Sequence, residues 1–218
     1  MDNILVDSYN VENIHFTKPK KYTEYFVSKV KYNESEELIV QFPKMTILEN
    51  PSDKNIELEF TSNKAYNKLV YNFLRSVDKL TINKVQTNSQ EWFGKSIPIE
   101  SVKKMYNSFI KAPQTTDSKP TINFAIKKSK ETVKTIFVDR KGNEIAFSEF
   151  QAGETVECIA HFKYIFFSRD TCFSVWELVS AKLHKRIEKV SKYGFVEDPD
   201  DFHRVESDDE EIDNIGFF

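Results

Sequence analysis

Glycine and cysteine are scarce in this sequence, and long apolar runs are missing. Five glycines in 218 residues argue against nucleotide-binding folds that wrap phosphates with a glycine-rich backbone. Two cysteines, Cys158 and Cys172, cannot build a disulfide framework, which favours a reducing compartment. No apolar run approaches the roughly 20 residues of a membrane-spanning helix, so no membrane association is expected. Asp2 stands where a secretory signal would be basic, and this predicts an intracellular protein.

The chain is rich in aromatic and basic side chains, and its charge is divided unevenly. Nineteen Phe, nine Tyr and two Trp are ample for a sizeable core and exclude wholesale disorder. Residues 197–218 carry ten acidic side chains against one arginine, a net charge of −9. The other 196 residues carry 30 Lys and Arg against 24 Asp and Glu, a net +6. We therefore divide the chain into a domain at 1–196, with an anionic partner, and a disordered acidic tail at 197–218.

Alternating apolar residues predict several strands in the body. The predicted strands are Tyr22–Tyr32, Leu38–Phe42, Ile56–Phe60, Ile122–Ile126, Cys158–Phe167 and Phe173–Leu183. A hairpin is expected where Val133–Val138 and Glu144–Phe147 flank a turn that contains Gly142. Together with the helices below, these strands predict an α+β fold that is mainly β, with a barrel-like sheet.

Two helices are expected between the predicted strands Ile56–Phe60 and Ile122–Ile126. Apolar residues from Tyr66 to Leu80 recur at helical spacing, with Ser62 and Asn63 as possible N-caps. Glu91–Ile99 is predicted to be a loop, and a short helix at about Ile99–Ile110 to follow it. The next segment, Lys111–Pro120, has no apolar period and is expected to be exposed.

Signals for catalysis are poor, and we predict a non-enzyme without metal or cofactor. Gly94-Lys95-Ser96 resembles the end of a phosphate-binding loop, but Ser89 occupies the position where that motif needs a glycine. The four histidines have no metal-ligand spacing with each other or with the cysteines. The densest acid pairs lie in the tail, where they cannot hold two ions in register.

Signals for nucleic-acid binding are better, because basic and aromatic residues interleave in three segments. Single strands are bound by cations along the phosphates and by rings that stack on bases. The candidate nucleic-acid-binding residues are Lys29, Lys31, Tyr32, Trp92, Phe93, Lys95, Lys127, Lys128, His161, Lys163, Phe167 and Arg169. Trp92 is the leading stacking candidate because it lies in a polar loop outside any apolar period. The competing interpretation is that Trp92 and the other rings are core residues.

On the strand Cys158–Phe167, alternation divides the side chains between two faces. We predict that Cys158, Phe162 and Phe166 face the core. His161, Lys163 and Phe167 would then lie on the opposite, ligand-binding face.

The tail combines an acidic run with terminal aromatic residues. Its candidate partner-binding residues are Asp208, Asp209, Glu210, Glu211, Asp213, Phe217 and Phe218. Exposed terminal rings have no solubility role, so this pattern is typical of a short linear motif that enters a basic, hydrophobic pocket of a partner.

Two resemblances follow from these residues. The tail is similar to those of replicative single-stranded DNA-binding proteins of bacteria and tailed phages. The body resembles the predicted single-stranded DNA-binding proteins of nucleocytoplasmic large DNA viruses. The matching segments cover about two-thirds of the chain, and they are Leu38–Met45, Trp92–Lys95, Val102–Phe109, Pro120–Lys127, Glu157–Phe167 and Phe173–Leu183.

The resemblance implies an OB-like barrel with inserted helices that binds single strands without sequence preference and without a cofactor. It further implies a viral protein of DNA replication, recombination or repair, located at replication sites in the host cytoplasm or nucleus. The tail would recruit replication proteins such as a polymerase, and homo-oligomers are possible. The alternative is a non-enzymatic interaction protein, such as a transcription or assembly factor, acting through its acidic tail. A metal-dependent nuclease would need a buried carboxylate cluster, which the body lacks.

Overall fold

The computed structural model describes residues 4–33, 36–61, 65–113, 118–129 and 132–185. Within these ranges there are two α-helices, α1 (Ala65–Phe93) and α2 (Ile99–Met105). The strands in the same ranges are β1 (Ile14–Phe16), β2 (Lys20–Lys21), β3 (Phe26–Tyr32), β4 (Ile39–Gln41), β5 (Met45–Ile47), β6 (Asn55–Phe60), β7 (Tyr106–Asn107), β8 (Ile110–Lys111), β9 (Thr121–Ile126), β10 (Lys128–Ser129), β11 (Thr132–Val133), β12 (Ile136–Val138), β13 (Thr155–Phe167) and β14 (Cys172–Lys185). The prediction of an α+β fold that is mainly β is confirmed.

Five strands close into a barrel. β13 pairs antiparallel with β5, β5 with β6, and β6 with β9. β9 then pairs in parallel with β14, and β14 returns antiparallel to β13, which closes the ring. A closed five-stranded barrel of this kind is OB-like, as the resemblance implied.

The barrel encloses an aromatic core because apolar residues alternate along its strands. Trp176 lies parallel to Phe162 with ring centroids 4.7 Å apart. Phe42 contacts Trp176 and Phe124 edge to face, at 5.7 and 4.7 Å. All four side chains are fully buried.

α1 is about twice as long as predicted, and it includes Glu91–Phe93, the first three residues of the expected loop; residues 94–98 form the rest of that loop, as predicted. The buried stripe continues beyond Leu80 through Thr81, Val85, Ser89 and Trp92. Periodicity of apolar residues missed this extension because two of the four positions are polar. Thr81 Oγ1 donates to the Val77 carbonyl at 2.8 Å, and Ser89 Oγ to the Gln86 carbonyl at 2.8 Å, so both hydroxyls are satisfied within the helix.

Gly94 ends α1. Its N–H donates to the Gln90 carbonyl at 3.0 Å, and its φ of +72° is the left-handed conformation that glycine adopts at helix C-termini. The proposed N-caps Ser62 and Asn63 lie outside the described residues.

The second helix is shorter than predicted. α2 ends at Met105, and Tyr106 enters a strand that pairs in parallel with β14. A buried hydrogen-bond network holds this strand: Tyr106 Oη donates to Asp78 Oδ1 at 2.7 Å and lies 2.8 Å from Ser174 Oγ. Ser108 Oγ also donates to the Asp78 carboxylate. Burial raises the pKa of Asp78, and this effect outweighs the lowering by its hydrogen bonds to Ser108 and Tyr106.

A β-bulge at Lys163 reverses the predicted faces at the end of β13. Phe162 pairs with Trp176, but Tyr164 pairs with Val175, so Lys163 is an extra residue without an opposite partner. Side chains up to Phe162 are buried at even positions, whereas Ile165 and Phe167 are buried after the bulge. The prediction that Phe166 faces the core and Phe167 lies on the face opposite the core is therefore wrong: Phe166 is half-buried on the outer side and Phe167 is buried.

β3 extends the sheet beyond the barrel by pairing with the end of β13, Phe26 opposite Phe167 and Lys29 opposite Tyr164. We call this extension, residues Phe26–Lys29, Tyr164–Phe167 and Cys172–Val175, the arm. The expected turn at Gly142 is present, with Asp139 N–H donating to the Asn143 carbonyl at 2.9 Å. However, Phe147 begins a 3-10 turn and not a strand.

The boundary at residue 196 and the acidic tail lie outside the described residues. In the part of the chain that the structure describes, neither helix has the length and apolar character of a membrane span. Within the same ranges, His, Cys, Asp and Glu side chains form no group of three that could hold a metal ion.

Candidate nucleic-acid interface

Four aromatic rings stack in a row on one face of the arm. Tyr22 and Tyr25 lie 5.0 Å apart at 12°, and Tyr25 lies 5.1 Å from Phe166 at 28°. Phe166 continues the row to Phe173, 5.0 Å away at 30°. We call Tyr22, Tyr25, Phe166 and Phe173 the ladder. The tyrosines are 43% and 36% exposed, which is high for rings of this size.

The two end rings of the ladder, Tyr22 and Phe173, each have a face that no other ring of the ladder covers. The inner rings, Tyr25 and Phe166, are covered by a neighbour on each side, so a base cannot stack on them without opening the row. At one end Lys20 Nζ lies 5.8 Å from the centre of the Tyr22 ring, a cation–π contact. At the other end Phe173 borders a groove. Tyr22 and Phe173 are therefore the two rings that can stack on a base.

The groove continues from Phe173 across the outer face of the barrel. Its volume is about 320 Å³. It is lined by polar, basic and aromatic side chains that include Lys54, Asn55, Lys111, Asn123 and Phe173. We use the name groove for this surface. It crosses β6 and β9, the second and third strands of the barrel, which is the face that OB folds use for oligonucleotides.

The ladder has a basic border on β3. Lys29 and Lys31 alternate on β3 with buried residues, and both are exposed. Lys29 lies across from Tyr164 on the same strand pair that carries the ladder. The structure thus brings the predicted cations Lys29 and Lys31 to the aromatic face.

The predicted cation Lys163 lies beside the groove, because its partner Glu177 is opposite the groove residue Ala125, but its charge is paired. Its Nζ donates to both carboxylate oxygens of Glu177, each at 2.7 Å. Glu177 is opposite His161 in the sheet. Burial lowers the pKa of His161, so its imidazole is neutral at pH 7 and adds no positive charge there.

A second concavity, the cleft, lies on the opposite face of the arm. Its volume is about 500 Å³. Phe26, Phe93 and Phe167 line it and contact one another edge to face, at 5.6 Å for Phe26–Phe93 and 5.3 Å for Phe93–Phe167. Lys95 and Arg169 also line the cleft, and both are exposed. The structure therefore assembles four predicted residues here, namely Phe93, Lys95, Phe167 and Arg169.

Three predicted stacking rings are buried. Trp92 is 8% exposed and belongs to α1, so its predicted place in a loop is wrong. Phe167 is 3% exposed and touches Trp92 edge to face at 6.4 Å. Tyr32 packs edge to face on Tyr9 at 5.0 Å, and its hydroxyl accepts from the Asn10 N–H at 3.0 Å. Trp92 and Tyr32 are core residues, as the competing interpretation held.

The predicted pair Lys127 and Lys128 lies at the end of β9. Lys127 is exposed, and Lys128 Nζ makes a 2.7 Å ion pair with Asp53 Oδ2. Asp53 precedes Lys54, which lines the groove. Lys127 therefore extends the basic surface at the end of the groove away from the ladder, whereas the charge of Lys128 is paired.

Sequence reasoning missed the ladder and most of the groove. Tyr22 and Tyr25 carried a usable signal, because they are aromatic residues in a polar turn beside Lys20 and Lys21. Phe166 carried none, since its outward direction depends on the bulge at Lys163. Phe173 faces outward by simple alternation, because buried and half-buried residues alternate without a break from Cys172 to Leu178. Lys54, Lys111 and Asn123 are far apart in sequence, and only barrel closure brings them together.

Comparisons with known proteins identify a family and several solved structures of similar fold. The model of the family described as "Family of unknown function (DUF5871)" matches residues 45–198. The crystal structure of gp2.5, a single-stranded DNA-binding protein encoded by bacteriophage T7, is similar with a TM-score of 0.48 and 11% identity, covering 73% of this chain and 97% of that one.

The single-stranded DNA-binding protein from bacteriophage Enc34 is similar with a TM-score of 0.43 and 13% identity, covering 87% of this chain and 99% of that one. The same phage protein in complex with single-stranded DNA gives a TM-score of 0.42 and 12% identity, covering 78% of this chain and 96% of that one. Among the curated proteins, none matches this chain.

Proposed function

We propose that this chain, which belongs to the family of unknown function DUF5871, binds single-stranded DNA along the ladder and the groove. The observation that carries the proposal is the stacked row of two exposed and two half-buried rings, which runs into a groove on the barrel lined by Lys54 and Lys111. Stacking on rings and neutralisation of phosphates are the two interactions that hold single strands. Neither requires a cofactor or a catalytic group, so we infer a binding protein and not an enzyme.

The proposed path uses the free faces of the ladder ends. One base stacks on Phe173 at the mouth of the groove, and another stacks on Tyr22 and displaces Lys20 toward a phosphate. Lys29 and Lys54 border this path, and so does Lys111, whose Nζ is paired with Glu57 Oε1 at 2.8 Å. Because rings and phosphate contacts are common to all nucleotides, binding is without marked sequence preference.

An alanine substitution at each free end of the ladder tests this path. Phe173→Ala and Tyr22→Ala should each weaken binding of a labelled oligo-dT by about 1–3 kcal/mol, the value of one stacked base. Leu69→Ala is the matched control, because Leu69 is 49% exposed on α1 and carries no ring. Wild-type affinity in both ladder variants, with intact folds by circular dichroism, would refute the path.

The biological process and the partner of this protein depend in part on the tail, which lies outside the described residues. We propose that the protein is viral, acts in DNA replication, recombination or repair, and recruits a partner such as a polymerase through the tail. The acidic run with terminal Phe217 and Phe218 supports a linear motif. A pull-down of replication proteins with full-length chain and with a Phe217→Ala, Phe218→Ala variant tests the recruitment.

The alternative function is an interaction protein that acts through the acidic tail while the body binds no nucleic acid. The same tail motif supports it. Binding of oligo-dT by a chain truncated after Val196 separates the two, because only the first function places the DNA site in the body.

A further inference from the structure

The predicted binding residues fall on two opposite faces of the arm. Phe166 and Phe173 belong to the ladder, whereas their neighbours Phe167 and Cys172 line the cleft. Successive side chains of a strand alternate between faces, so a straight single strand along the ladder cannot reach the cleft. The cleft is therefore outside the path proposed above.

The two faces meet at a narrow turn. Ser168–Thr171 joins β13 to β14, and Ser168 N–H donates to the Thr171 carbonyl at 2.8 Å. Ser168 Oγ lies 3.0 Å from Thr171 Oγ1, which closes the turn with small side chains. A strand that leaves the ladder and passes over this turn meets the exposed side chains of Arg169 and Asp170. Arg169 stands in the turn and also lines the cleft.

We propose that the bound single strand folds over this turn and that one of its bases enters the cleft. This proposal rests on the proposed function and adds a second subsite to it. The base lies among Phe26, Phe93 and Phe167, and a phosphate beside it is held between Lys95 and Arg169.

The size and the charges of the cleft match a nucleotide. A volume of about 500 Å³ is within the range of pockets that hold small organic ligands. Three phenylalanine rings offer a base an apolar surface, and the hydroxyls of Ser96 and Ser101 line the same space. In the described part of the chain, neither Lys95 nor Arg169 forms an ion pair, so both charges can bind phosphate.

Filling the cleft with a large side chain tests the proposal. Ser101→Trp places an indole in the cleft from the exposed side of α2, and Ser96→Trp does so from the loop after α1. Thr87→Trp adds an indole at an exposed position of α1 that does not line the cleft. The probe is an oligo-dT with a donor and an acceptor dye at its two ends, so that energy transfer reports how sharply the bound strand bends.

We expect high energy transfer with wild type and with Thr87→Trp. Either cleft-filling variant should lower the transfer and weaken binding by roughly fivefold to a hundredfold, the effect of losing one base stack. Unchanged energy transfer and affinity in both cleft-filling variants would overturn the proposal while leaving the ladder path intact. Absence of binding by wild type would instead refute the proposed function itself.

An acidic aromatic peptide is the competing occupant. A synthetic peptide of residues 207–218 serves as the probe in a second arm of the experiment. Binding of this peptide that is lost in the cleft-filling variants, together with unchanged DNA binding, would assign the cleft to a peptide and overturn the proposal.

Discussion

Glu177 should oppose DNA binding, because its carboxylate lies beside the groove, opposite Ala125, and is paired with Lys163. The substitution Glu177→Gln removes this negative charge and frees the lysine. Glutamine has nearly the size of glutamate, and the Lys163 side chain is 40% exposed to water, so the fold should lose about 1 kcal/mol or less.

The expected gain in affinity has two sources. A carboxylate and a phosphate about 7 Å apart repel by about 0.6 kcal/mol in bulk water and by about 2.4 kcal/mol at an effective dielectric constant of 20. Removing this repulsion corresponds to roughly 3- to 50-fold tighter binding at low salt. The freed lysine neutralises one further phosphate, which steepens the slope of log K against log salt by about 0.7.

Fluorescence anisotropy of a labelled oligo-dT at four salt concentrations measures both effects. Glu100→Gln is the matched control, because Glu100 pairs with Lys103 at 2.9 Å on α2, away from the ladder and the groove. The control should leave affinity and slope unchanged. Equal affinity and equal slope for Glu177→Gln and wild type would show that the strand does not pass over this ion pair.

Three further outcomes are expected. Trp92→Ala should lower the free energy of unfolding by about 3–5 kcal/mol in a urea titration, as for a buried aromatic residue, and a stable variant with weakened DNA binding would contradict this. Asp78→Ala should lower the free energy of unfolding by about 1–3 kcal/mol, because the Tyr106 and Ser108 hydroxyls lose their acceptor. Asp78→Asn should lower it less, and an equal loss in the two variants would argue against the network. Burial raises the pKa of Asp78 above its unfolded value, so the wild type should lose stability as pH rises through that pKa, and the Asn variant should lack this component. Deleting residues 197–218 should tighten DNA binding most at low salt, where screening is weak, and an unchanged affinity would remove the argument that the tail competes with DNA.

The fold class could be predicted from the sequence because strand alternation and one helical stripe survive in the residue pattern. Barrel closure could not, since the pairs β5–β13 and β9–β14 join distant segments whose register no local pattern encodes. Trp92 shows why the end of the helix was missed. The buried stripe that leads to it contains Thr81 and Ser89, and these polar residues interrupt the apolar period. They can be buried because their hydroxyls donate hydrogen bonds within the helix.

The site was predicted in its chemistry but only partly in its residues. Lys29, Lys31, Lys95 and Arg169 are exposed beside aromatic surfaces, as basic interleaving indicated. The stacking rings were chosen less well, because one extra residue at Lys163 turns every later side chain of β13 to the other face.

The most direct test of single-stranded DNA binding compares a labelled single strand with the duplex of the same sequence. Both tryptophans are buried, Trp92 at 8% and Trp176 at 1% exposure, so a labelled oligonucleotide is a better reporter than intrinsic fluorescence. The measurement is anisotropy over a salt series from about 50 to 200 mM. We predict that the single strand binds, that log K falls linearly with log salt at about 0.7 per phosphate contact, and that the duplex, whose base faces are covered, binds more weakly. No binding of the single strand at 50 mM salt, or equal binding of the two forms, would contradict the account.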